Sequence, residues 1–116
     1  SAMLAIGAAI DFMRDVGLES FRERTQYLAS YARRRLLELT GLSPLGPDGP
    51  PWCGSMAHAP LPPGDARSLQ LSMWRDHGIE APVVEFAGRR WIRVSCHLYT
   101  QREEIDRLVD VLPTLW

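Results

Sequence analysis

The sequence contains no lysine. All 13 residues counted as Lys or Arg are arginines, so no side chain of this chain can form a Schiff base with an aldehyde cofactor. A GC-rich coding sequence would also favour arginine codons, so the bias has a genomic explanation as well. Whichever explanation holds, we expect the chain by itself to be inactive in chemistry that needs an imine-forming lysine.

Cysteine is scarce, with only Cys53 and Cys96 present. Two cysteines are too few for a disulfide framework, and too few for a zinc site without help from histidine. The three histidines match no zinc-binding spacing, so no metal site is expected: His58, His77 and His97. We therefore predict two reduced thiols, with Cys96 buried and inert.

Neither a strong charge nor a long apolar run is present. A net charge of -1 over 116 residues gives no general attraction to nucleic acid or anionic membranes. The arginine run 33–35 spreads over different helix faces, which favours a solvated surface. No segment is apolar enough for a membrane span or a secretory signal, so a cytoplasmic location is expected. Residues 1–3 are interpreted as a tag remnant, and 4–116 as one domain.

Periodicity predicts the element order α-α-β-α-β-β-α. The predicted helices cover 4–14, 18–40, about 65–77 and a segment after 100; the predicted strands cover 53–59, 83–86 and 89–96. Residues 42–51 are rich in Pro and Gly and are predicted to form a loop. The fold class is a two-layer α+β domain, with a small antiparallel sheet and helices on one face.

Two helices carry specific signals. In the third helix Leu69, Met73 and Trp74 are predicted to be buried, and Asp65 to cap the start. For the last helix, Thr100 and Glu103 have capping-box spacing. Its apolar stripe has helical spacing: Ile105, Leu108, Val109 and Leu112.

Alternation along the strand 89–96 separates two faces. Arg90, Ile92, Val94 and Cys96 face the helices; Arg89, Trp91, Arg93 and Ser95 face away. An arginine between Trp and Ser in mid-strand could clamp a carboxylate, because its planar fork matches two carboxylate oxygens. From residue types alone, the favoured interpretation is that Arg93 is solvated or paired with a nearby Glu and binds no ligand.

A family motif covers residues 78–83, 88–100 and 104–108. It resembles the C-terminal end of class V aminotransferases, which carry a Gly-Ile segment, then Arg-x-Ser-x-x-x-Tyr-Asn, then Asp-x-x-Leu. The form with His97 before Leu98-Tyr99 looks most like the isopenicillin N epimerase branch of this family, which also includes cysteine desulfurases. Thr100 stands where relatives usually carry Asn.

The resemblance implies the small domain of a pyridoxal-phosphate (PLP) enzyme of fold type I. In such enzymes the motif arginine binds the substrate α-carboxylate, which assigns that role to Arg93. The cofactor lysine and the other cofactor-binding residues would lie in a large domain, so no catalytic, cofactor-binding or metal residue is assigned here. The implied partners are an amino-acid substrate, the chain's own large domain and a second copy in a homodimer.

The alternative is a free-standing α+β binding or regulatory module with no catalytic activity. It would explain the missing lysine directly. It does not explain an apolar first helix together with an outward-facing Trp-Arg-Ser strand. We expect the first helix and the surroundings of Trp91 to expose apolar surface that seeks a partner.

Overall fold

The computed structural model describes residues 2–50 and 52–116. Ser1, in the predicted tag remnant, and Pro51, in the predicted loop, lie outside the described residues. The helices are α1 (Ala2–Val16), α2 (Leu18–Thr40), α3 (Ala66–His77) and α4 (Arg102–Val111), followed by a 3₁₀ turn at Leu112–Thr114; the strands are β1 (Met56–Leu61), β2 (Val83–Phe86) and β3 (Arg89–Ser95). The predicted fold class and element order are confirmed.

The ends of α2 and α3 follow from local chemistry. Gly41 and Gly78 adopt the left-handed conformation, with φ of 64° and 63°, and so end the two helices. At the start of α3 the Asp65 carboxylate accepts a hydrogen bond from the Ser68 backbone N–H at 2.5 Å. Hydrogen bonds from Ser68 lower the pKa of Asp65, which fits a capping carboxylate.

The sheet has strand order β1-β3-β2, and both pairings are antiparallel. Its inner face packs on the helices through a continuous apolar core that includes Ala59, Val83, Ile92, Leu36, Met73, Leu108 and Leu112. The predicted stripe of α4 is confirmed, because all four of its residues are buried. The opposite face of β3 therefore points away from the helices, as alternation predicts.

Three local predictions are wrong. The capping box of α4 uses Gln101 and Glu104, one residue later than predicted. The Thr100 hydroxyl instead accepts a hydrogen bond from the His97 backbone N–H at 2.9 Å. Trp74 is 57% exposed, because it lies about 100° around the helix from Met73. The first strand spans Met56–Leu61 and not 53–59.

The arginine run on α2 is not a uniformly solvated face. Arg33 is only 4% exposed, and its guanidinium pairs with the Asp48 carboxylate at 3.2 Å and donates to the Gly46 carbonyl. Arg35 pairs with Asp106 of α4. The prediction is wrong because oxygen atoms of the Pro/Gly-rich loop and of α4 pair with Arg33 and Arg35. Helix periodicity alone cannot show contacts with segments that are distant in sequence.

None of the described helices combines the length and apolarity that a bilayer crossing requires.

Candidate substrate-binding site

Arg93 lies in the middle of β3, on the sheet face that points away from the helices. Its side chain is exposed, while its backbone N–H donates to the Pro82 carbonyl at 3.0 Å. Across the sheet its register partner is His58 of β1. None of the ion pairs or side-chain hydrogen bonds among residues 2–50 and 52–116 involves the Arg93 guanidinium. The cation is therefore available to a ligand on a rigid strand.

Trp91 lies on the same face, two residues before Arg93, but it is only 5% exposed. Its indole Nε1–H donates to the Phe86 carbonyl at 3.0 Å. The His58 ring meets it edge-on, with 5.6 Å between centroids, and the Arg89 guanidinium lies over it at 5.1 Å. Hairpin and β1 residues cover the indole, and the exposed apolar surface predicted beside Trp91 is confirmed at its neighbours Met56, Val84 and Phe86. These contacts hold the Trp91 side chain in one position next to Arg93.

A shallow groove of about 520 Å³ follows this face of the sheet. Its walls include aromatic and aliphatic side chains, His58 and Arg93: Leu45, Trp52, Met56, His58, Val84, Phe86, Trp91 and Arg93. Several of the apolar members remain exposed, among them Trp52 and Phe86. A ligand with a carboxylate and an apolar part could place the first on Arg93 and the second along the aromatic wall.

His58 and the wall residues Leu45 and Trp52 were missed by sequence reasoning. Alternation in β1 could have found His58, because Ala57 and Ala59 form its buried side. No periodic signal marks Leu45 and Trp52, which lie outside the regular elements.

The turn after β3 is held in place by an arginine of α2. Arg24 donates from Nε to the Leu98 carbonyl at 3.2 Å and from Nη2 to the Thr100 carbonyl at 3.0 Å. The His97 ring stacks on Tyr99 at 4.6 Å and meets Phe21 edge-on at 5.3 Å. These contacts fix the end of the strand that carries Arg93. Arg24 gave no signal in the sequence.

The cysteines are both free, as predicted. Cys96 is 4% exposed on the core side, and burial raises the pKa of its thiol. A raised pKa disfavours the thiolate, so Cys96 is poorly suited to act as a nucleophile. Across the part of the chain that the structure describes, no cluster of His, Cys, Asp and Glu has the arrangement of a metal site.

Several known enzymes match the chain over nearly its whole length. It is 41% identical over 97% of its length to an isopenicillin N epimerase of Streptomyces clavuligerus, and 37% identical over 97% to that of Amycolatopsis lactamdurans. It is 29% identical over 94% of its length to a probable cysteine desulfurase of Halalkalibacterium halodurans. No family model matches the chain.

The chain spans only 28% of the length of each of these three relatives. The sequence of the chain thus matches a domain-sized part of these larger proteins. The chain is homologous to the C-terminal part of class V aminotransferase-like enzymes, and the resemblance indicated by the motif is confirmed.

Proposed function

We propose that the chain is the C-terminal small domain of a PLP-dependent enzyme of aminotransferase, epimerase or cysteine desulfurase type. In this proposal Arg93 binds the α-carboxylate of an amino-acid substrate, and the domain helps to close the active site. The observation that carries the proposal is the exposed Arg93 guanidinium, without an ion pair among the described residues, at the motif position of the substrate-binding arginine.

The surroundings of Arg93 suit a carboxylate. A planar guanidinium can donate two parallel hydrogen bonds to one carboxylate, and such charge-assisted pairs are stronger than neutral hydrogen bonds. Trp91 is fixed beside it by its hydrogen bond to Phe86. Because β3 is the central strand of the sheet, its backbone holds Arg93 more rigidly than a loop would. A preorganised donor loses less entropy when the substrate binds.

PLP supplies an electron sink when it is bound in enzymes of this kind. The chain does not fit the role of attaching it, because it contains no lysine. The part proposed for this chain is to bind and orient the substrate and to exclude water. A cytoplasmic homodimer belongs to the same proposal.

The test is kinetic and uses the full-length enzyme. We expect Arg93→Ala to lower kcat/KM for an amino-acid substrate by on the order of a hundredfold, which corresponds to about 3 kcal/mol. The visible spectrum of the bound cofactor should stay unchanged. Arg93→Lys should recover only part of the loss, because it keeps the charge but not the fork. Arg67→Ala, at an exposed arginine of α3, is the matched control and should have little effect.

A decarboxylated amine analogue separates the possible roles. Without a carboxylate the substrate has nothing to pair with Arg93, so Arg93→Ala should not slow its reaction further. Equal slowing of both substrates would show that Arg93 is not the carboxylate ligand. Full activity of Arg93→Ala on the amino-acid substrate would likewise rule out Arg93 as the carboxylate ligand.

A further inference from the structure

Two apolar side chains flank Arg93 on the outer face of the sheet. Met56 of β1 is paired with Ser95. Val84 of β2 is paired with Trp91. Each of these partners is two residues away from Arg93 along β3, so Met56 and Val84 are diagonal neighbours of Arg93 on the two adjacent strands, at about 7–8 Å. Their side chains are 54% and 50% exposed. The cation therefore lies between two apolar surfaces that a ligand can reach.

The groove that contains these residues carries little charge. Among the described residues that line it, His58 and Arg93 are the titratable ones, and none carries a carboxylate. His58 lies directly opposite to Arg93 in the register. A ligand cation would find no counter-ion in the groove and would lose hydration against its apolar walls. The groove thus offers one permanent cation for an anionic group and apolar surface for the rest of the ligand.

An apolar protein surface would not fill this groove equally well. An interface that covered Met56 and Val84 would also take the Arg93 guanidinium out of water, and that group has no ion pair within the described residues. Burial of an unpaired charge costs several kcal/mol, whereas two half-exposed side chains contribute little apolar area. A molecule with an anionic end and an apolar body matches both features of the groove.

We propose that Met56 and Val84 determine substrate specificity, and that they select an amino acid with an uncharged, apolar side chain of several carbons. This inference rests on the proposed function, because Arg93 has to hold the α-carboxylate. Outward-facing residues of one strand follow each other at about 6.6 Å. A side chain of four carbons can therefore contact Val84 while the carboxylate is bound to Arg93.

The first test compares substrates in the full-length enzyme. L-norleucine should exceed L-alanine in kcat/KM by at least about tenfold, because its three additional methylenes contact the groove. L-lysine has a similar length but a terminal charge, and it should be worse than norleucine by about tenfold or more. A preference for L-glutamate over norleucine would overturn the proposal, because it would mean that His58 and Arg93 take up a second carboxylate.

Two nearly isosteric variants locate the specificity. Val84→Thr keeps the β-branched shape that suits a strand and replaces one methyl group by a hydroxyl. It should lower the ratio of kcat/KM for norleucine to that for alanine about fivefold, and Met56→Gln should act in the same direction. Leu71→Gln, at an exposed apolar residue of α3, is the control and should leave the ratio unchanged. An unchanged ratio in both folded groove variants would refute the assignment.

Arg93→Ala separates this proposal from the proposed function. Norleucine and alanine both carry an α-carboxylate, so this variant should slow both substrates alike and preserve their ratio. If Arg93→Ala slows both substrates while the two groove variants leave the ratio unchanged, the proposed function stands and only the specificity assignment fails. If Arg93→Ala has no effect, the proposed function fails and this inference fails with it.

Binding of an unreactive acid gives a measurement that does not depend on turnover. Hexanoate has no amino group and cannot react as a substrate. Calorimetric titration of the full-length enzyme should show that it binds at least about tenfold more tightly than acetate, because acetate has no hydrocarbon body. Val84→Thr should reduce this difference. Equal affinity for acetate and hexanoate would contradict an apolar subsite beside Arg93.

Discussion

Single residues in this chain show two ways of burying an arginine. Arg33 pairs with the Asp48 carboxylate and donates to the Gly46 carbonyl, both from the Pro/Gly-rich loop, which leaves its Nε as the buried guanidinium atom without a partner. Arg90 donates one hydrogen bond, to the Asp65 carbonyl, and its Nε and Nη2 are buried without a partner among the described residues. The first arrangement is typical of a structural contact, because every charge has a protein partner. The second leaves two buried N–H groups unsatisfied, which is costly because nothing compensates their desolvation.

The Arg33–Asp48 pair should stabilise the loop that leads toward β1. We expect Arg33→Met to lower the free energy of unfolding by roughly 1–2 kcal/mol, less than for a fully buried pair because Asp48 is half exposed. Urea unfolding measures the change. Arg34→Met, at the exposed neighbour on α2, is the control and should change stability by less than about 0.5 kcal/mol. Equal effects of the two variants would contradict a structural role for the buried pair.

The same pair predicts a dependence on pH. Burial alone would raise the pKa of Asp48, but hydrogen bonds from the Gly49 backbone and Arg33 outweigh it, and the pKa is lowered. A lowered folded-state pKa stabilises the fold above the unfolded pKa, and this contribution is lost as the pH falls through the folded pKa. The stability difference between the unmodified protein and Asp48→Asn should therefore stay constant above about pH 5 and shrink as the pH falls further, through the unfolded and then the lower folded pKa. A constant difference would show that the carboxylate charge is not involved.

Among the elements, the β2–β3 hairpin carries a visible strain. Ala87 and Gly88 have φ of 50° and 70°, the left-handed values that a two-residue type I′ turn requires. Alanine pays a steric penalty there that asparagine largely avoids. We expect Ala87→Asn to raise the free energy of unfolding by about 0.5–1 kcal/mol, as measured by urea unfolding. Ala87→Val, which is β-branched, should destabilise. Stabilisation by both would rule out the turn conformation as the cause.

The helices and the hairpin could be predicted because their signals are local. Gly41 and Gly78 end helices, Asp65 caps one, and Ala87-Gly88 turns one strand into the next. The β1 start was missed because small residues carry little strand preference. The candidate site was only partly predictable. Alternation placed Arg93 on the outer face, but the cover over Trp91 and the loop partner of Arg33 depend on contacts between segments distant in sequence.

On the scale of the whole molecule, α1 stands apart from the core. None of its described side chains is buried, and Leu4 is 82% exposed, with Ile6, Ile10 and Phe12 also open to solvent. A helix of 15 residues draws most of its stability from packing an apolar face. An apolar helix without such packing is expected to find a partner surface.

We therefore expect the chain to self-associate through α1 at high concentration. Light scattering coupled to size exclusion should give at least the mass of a dimer for the unmodified protein. The triple variant Leu4→Gln, Ile6→Gln, Ile10→Gln should run as a monomer, because it removes the apolar surface while leaving Gln, a good helix former. The matched control is Leu71→Gln with Trp74→Gln, two exposed apolar residues of α3, and it should remain associated. A monomeric unmodified protein, or equal dissociation by both variants, would contradict an interface on α1.

In the full-length enzyme we expect the large domain to cover the same α1 side chains. The backbone amides of α1 should then exchange their hydrogens slowly, because a packed helix opens less often than an unpacked one. Exchange in α1 that is as fast as in an unfolded peptide would argue against that arrangement.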